Sequence, residues 1–232
     1  MSEEDALIVI DKIFKAVFLI NNTNTLEEIL EKYAFDIKLP RKVYDSKTQE
    51  ETYTDFDNAK FFITKDNMES VDSTKGFILE KKNFKSLDEI IKTWESINTI
   101  TTNRCYNSTY VSKSDTIYDS SYVYNSSNCS NSKNIVFCDG CGKSEYLLAS
   151  QRSGSCTFSI RVDDSSNCSN CYSVICSNKI SNSLFIQDCF NLDECIFCSH
   201  IANKKYCICN MQFEKSEYFA IKKIIIEWIV NS

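Results

Sequence analysis

The side chains richest in chemistry in this 232-residue chain are its thiols. All 13 Cys lie from Cys105 onward, and three pairs have the spacing Cys-x-x-Cys: Cys138 and Cys141, Cys168 and Cys171, Cys195 and Cys198. Cys207 and Cys209 make a fourth close pair. Two such pairs can build a tetrahedral zinc site, and one pair alone can be a redox couple. A zinc site, however, needs pairs carried on knuckles that converge. Here the pairs keep step with a repeat in which Ser, Asn or Val takes the same place elsewhere. A small thiol filling an interior is the favoured reading, with no cofactor; a zinc-binding or redox protein is the alternative, with zinc as its cofactor.

Other reactive groups are sparse. His200, the single histidine, follows Cys198 closely enough for general-base work to be considered, but no Asp-His-Cys order can be argued from spacing alone. Asp163 and Asp164 are adjacent carboxylates; neighbours on a strand point to opposite faces, so the pair marks a corner rather than an acid/base couple. Arg152 and Arg161 are the strong bases of their stretch and would suit a carboxylate or phosphate on a partner. Tyr106, Tyr110, Tyr118, Tyr122 and Tyr124 would form an adhesive strip if they line one face. The candidate binding residues are therefore Tyr110, Tyr118, Tyr122, Tyr124, Arg152 and Arg161, and no catalytic residue is assigned.

These residues sit in a repeat. Short apolar runs followed by Cys, Ser, Asn, Asp or Gln recur at 122–125, 135–138, 147–150, 159–162, 173–176, 184–187, 195–198 and 207–210. The steps between them are 13, 12, 12, 14, 11, 11 and 12 residues. Such regularity marks a solenoid. Two steps, each a strand and a polar corner, would make one coil of roughly 22 to 25 residues. The expected fold is an α+β N-terminal region (1–98), a right-handed parallel β-helix (99–212) and a C-terminal capping helix (213–232).

The flanks fit that plan. Residues 3–20 read as a broad apolar helix, and Thr25 with Glu28 as a capping box opening a second helix to Tyr33. Short strands follow at 35–39, 42–44, 52–56 and 60–64, with a hairpin turn at 45–50 and a further strand at 76–80. Ser86 and Glu89 open a helix to about Ile97, expected to cover the open N-terminal end of the solenoid. A last helix, capped by Ser216 and running to about Trp228, would pack on the final coil or against residues 3–20.

Composition narrows the function. A net charge of −6 argues against a general nucleic-acid surface, and neither apolar segment, 6–20 nor 221–230, is long or clean enough to span a membrane. The acidic start and the free thiols place the chain in the cytoplasm.

Residues 195–219 resemble the end of Cys- and Asn-rich repeat proteins of low-GC bacteria and phages, sometimes labelled caib/baif family. Those end in a similar Asn-Lys-Lys-Tyr-Cys-Ile segment before an acidic helix start; here it is Asn203 to Ile208. The likeness extends over about half the chain, is specific in its last thirty residues and implies no established activity. A paired-Cys zinc module often precedes the repeats in that group, whereas this chain has no Cys before Cys105. More loosely, residues 145–152 and 156–158 look like the β-helix repeats of tubulin cofactor C and cyclase-associated protein. In those an exposed Arg acts on a nucleotide-binding partner, and Gln151 and Arg152 would match it, although the downstream aromatic and acidic pattern departs.

Together these readings imply a non-enzymatic interaction scaffold with a protein partner; a phage structural or host-takeover protein would fit, including an inhibitor of a nucleic-acid-processing enzyme, with self-association open. A glycan-acting β-helix enzyme is a weaker third reading, because few carboxylates occur between 165 and 212.

Overall fold

A computed structural model describes residues 1–71 and 77–231. Residues 105–208 form a parallel β-solenoid of about nine turns, flanked by N-terminal helices and small sheets and by a C-terminal helix. Each residue pairs with the one twelve further on, as in Ile117 with Cys129, Ile135 with Leu147 and Ile180 with Leu192. One repeat step is therefore a whole coil, and the expected coil of 22 to 25 residues is corrected to twelve. The reason lies in the backbone. From Asn107 to Cys209 every third residue has a positive φ, between 44° and 68°. A left-handed residue turns the chain sharply, so four triplets close one coil.

The triplet assigns each side chain a direction. The residue after each corner points inward, giving the interior series Ser120, Val123, Ser126 and Cys129, then Ser132, Ile135, Cys138 and Cys141, all buried. It also assigns each backbone N–H. Lys133 N donates forward to Ser144 O at 2.9 Å, and the corner residue Phe137 N donates back to Tyr124 O at 3.1 Å. In many triplets the third donor, on the inward residue, meets a side chain one coil earlier. Ser132 N, Ser144 N and Cys156 N donate to the hydroxyls of Ser120, Ser132 and Ser144 at 3.1, 3.2 and 3.2 Å. Each hydroxyl in turn donates to the carbonyl two residues before it, as Ser132 does to Ser130 O at 2.8 Å. An inward Ser thus satisfies a buried N–H that would otherwise cost about 1–3 kcal/mol. The narrow bore explains the rest of the composition: beside Leu147 the same coil places Ser144, Ser150 and Ser153.

The helices cover a flank rather than the ends. Helix α1 (Glu3–Phe18) starts at a capping box on Ser2 and Asp5 and buries Ala6, Val9, Ile10, Ile13, Phe14, Val17 and Phe18. These share one core with Val136, Leu148, Ile160, Leu184 and Ile196 on an outer side of the solenoid. Helix α2 (Leu26–Tyr33) adds Ile29 and Tyr33, and its Thr25–Glu28 capping box is present. Helix α3 (Lys215–Asn231) contributes Tyr218 and Ile229 to the same core and packs on the last coil. It begins two residues earlier than a Ser216 cap would place it, so Ser216 lies within its first turn and is not its cap.

In the N-terminal sheets, β1 (Arg41–Tyr44) and β2 (Glu51–Thr54) form the expected antiparallel hairpin. Strand β3 (Phe61–Thr64) pairs in parallel with β4 (Thr99–Thr102), so residues 99–102 belong to this region and the first coil begins at Cys105. Residues 35–37 turn and 38–39 are irregular instead of forming a strand, with Asp36 and Phe35 engaged by Arg161. In the strand expected at 76–80, Gly76 lies outside the described residues and 77–80 are exposed and irregular. Arg104 locks this region to the first coils. Its guanidinium bridges Asp55 at 3.0 Å and the buried Asp115 at 2.8 Å, above the Phe56 ring. Helix α4 (Leu87–Ile97) buries none of its residues, so it does not form the expected lid.

The C-terminal end stops itself. The triplet places that point inward in earlier coils are taken at the last coil by the exposed Lys204 and Asn210, and Asn210 bonds back to Ser199 N and O at 3.0 and 2.9 Å. A charge at an inward position is one of the devices that blunt a strand edge.

Candidate interaction surface

The Cys-x-x-Cys spacing equals one triplet. Cys138 and Cys141, Cys168 and Cys171, and Cys195 and Cys198 are neighbours around the inside of a coil, each buried. Their thiols face backbone carbonyls, for example Cys138 Sγ to Val136 O at 3.3 Å and Cys171 Sγ to Ser169 O at 3.1 Å. Cys138 also takes the Ser role, accepting from Ser150 N at 3.4 Å. Burial pushes the Cys171 thiol up to about 12. Among the described residues, no group of three or more His, Cys, Asp or Glu is arranged to hold a metal ion. Cys176 and Cys209 are exposed because they occupy corners.

His200 is also a corner residue, turned outward beside Ser199 Oγ at 2.6 Å, while Cys198 points inward. The two do not meet. Arg152 spans Asp163 and Asp164 at 2.5 and 2.8 Å and remains half exposed. Arg161 clamps the helical hairpin instead of facing a partner: it donates to both Asp36 oxygens and to Tyr33 O, and lies over the Phe35 ring.

The tyrosines divide between two environments. Tyr124 is 3% exposed, packs edge-on against Phe137 and binds Glu3 and Lys113 beneath α1, which corrects its reading as an exposed residue. Tyr110 is 60% and Tyr118 42% exposed. The ring of Tyr110 stacks on Tyr122 at 4.6 Å and 14°, and Tyr106 stacks on Tyr118 at 5.2 Å and 9°. Both stacks join residues twelve apart, one coil above the next. Tyr110 and Tyr122 stand on corners, and Tyr106 and Tyr118 on the side that runs up to the next corner. The early coils therefore carry two separate aromatic ladders, one on a corner and one on a side, with Lys65 over Tyr106 at 4.9 Å.

The corner stacks Tyr146 on Phe158 and Phe185 on Phe197, at 4.4 and 4.6 Å, extend the same principle but escaped the sequence reading. Their signal was the twelve-residue spacing itself. A cleft of about 500 Å³ opens between Leu19 and Ile20 after α1 and Phe219 and Ile226 of α3. Its polar floor is already paired, Lys222 to Glu194 at 2.6 Å and to Asn182 O at 2.8 Å. No helix among the described residues is long and apolar enough to cross a membrane. No family model matches this chain, and no curated protein or solved structure matches it.

Proposed function

We propose that the protein is a non-enzymatic scaffold that binds a protein partner through the aromatic ladders of its early coils. The observation that carries this is the pair of exposed stacks, Tyr110 on Tyr122 and Tyr106 on Tyr118, held on a backbone hydrogen-bonded coil to coil. Tyr offers a large contact area with few rotatable bonds and is enriched among the residues that dominate binding energy. A stiff backbone adds little ordering cost on association. The −6 charge complements the basic groove of a nucleic-acid-processing enzyme, which makes such an enzyme the partner class that fits and this protein its inhibitor. A phage setting, and kinship with the Cys- and Asn-rich repeat proteins, rest on the resemblance of residues 195–219.

The test is a pull-down from candidate host extracts with full-length protein and with Tyr110→Ala/Tyr122→Ala as bait, followed by affinity measurement with the purified partner. Removing two such anchors should weaken binding by at least about tenfold while leaving the circular dichroism unchanged. Equal retention by both baits would refute the assignment of the surface.

A further inference from the structure

Helix α4 has an apolar stripe that its own chain leaves uncovered. Leu87, Ile90, Ile91 and Trp94 follow the helical spacing and are 68%, 46%, 45% and 58% exposed. The helix is nonetheless well specified. Ser86 Oγ accepts from Glu89 N at 3.3 Å, Glu89 accepts from Lys85 N at 2.8 Å, and Lys60 pairs with Glu95 at 2.9 Å. An eleven-residue helix is marginal in water unless its apolar face packs on something.

We propose that the covering element is α4 of a second copy, packed antiparallel about a two-fold axis. Two features favour a self-pair. First, the stripe and the exposed Phe77, Ile78, Leu79 and Phe84 put eight large apolar residues of one segment in solvent, and a stable interface draws about 800 Å² from each partner. Second, the charges of the segment complement themselves. Lys81, Lys82 and Lys85 precede the helix, its first turn carries Asp88 and Glu89, and its last turn has no basic residue of its own, its Glu95 being held by Lys60. An antiparallel pair sets those lysines beside the negative end of the other helix, twice by symmetry. This surface shares no residue with the aromatic ladders, so variants at Trp94 or Ile91 and variants at Tyr110 and Tyr122 test the two proposals apart.

Sedimentation velocity of the full chain over about 1 to 100 μM, a range spanning common dimer affinities, should show 26.7 kDa rising to twice that mass. Trp94→Glu and Ile91→Glu should stay monomeric with unchanged circular dichroism, since α4 supports no core of its own chain. With Trp228→Phe removing the other tryptophan, Trp94 emission should shift to the blue as the dimer forms. A chain that remains monomeric throughout, a dimer that survives both α4 variants, or emission independent of concentration would each overturn the proposal.

Discussion

At the residue scale, the inward Ser does two jobs that no apolar residue of its size can do together. It leaves room for a large neighbour in the same coil, and it accepts the N–H of the coil that follows. Ser144 shows both, accepting from Cys156 N at 3.2 Å while Leu147 fills its coil. Ser144→Val removes the acceptor and crowds the bore, so a loss of about 2–5 kcal/mol is expected. Ser144→Cys, which several other coils use, should cost under half as much; thermal or urea unfolding distinguishes the two. The direction of single residues was hard to read in advance. Tyr122 and Tyr124 are two apart, which on an ordinary strand places them on one face. The left-handed backbone at Tyr122 breaks that alternation, sending Tyr124 onto the side beneath α1.

At the element scale, the helices and the hairpin declared themselves through local rules. The Thr25–Glu28 box and the 45–50 turn act within a few residues, and both stand where expected. What covers what is a tertiary matter, and there α4 differed, because its spacing states only that it has an apolar face. The 45–50 turn also yields a pH prediction. Burial alone would raise the Asp45 carboxyl. The Asn67 amide and the backbone N–H groups of Thr64, Thr48 and Lys47 outweigh it and hold the carboxyl well below the usual range. A pKa lowered by folding stabilises above the unfolded value, near 3.9, and that stability is lost as pH falls below it toward the folded value. Acid should therefore release the β1–β2 region, read by loss of amide-exchange protection there. Asp45→Asn should lower protection at neutral pH by about 2–3 kcal/mol and flatten the acid response. Unchanged protection at pH 3 would contradict the role given to this carboxylate.

At the scale of the whole molecule, the solenoid was legible because the side under the helices repeats: Val136, Leu148 and Ile160 are each twelve apart and buried. The size of the coil was not legible. Left-handed corners are usually betrayed by Gly or Asn, but here Tyr110, Phe137, Lys143 and Arg152 adopt them too, so nothing in the composition marks four corners per step. Ten of the thirteen thiols pack inside as read, whereas Cys176 and Cys209 stand out on corners and Cys105 is half-buried; the equality of Cys-x-x-Cys spacing and triplet length emerges only from the backbone. Every assignment of surface and core follows from that triplet rule, and thiol accessibility tests it directly. In native, reduced protein, Cys176 and Cys209 should react rapidly with an aromatic disulfide reagent, Cys105 should lag, and the ten buried Cys should respond only on unfolding. Rapid reaction of most thiols in the folded protein, or their release only after a chelator removes a stoichiometric metal ion, would contradict the inward columns.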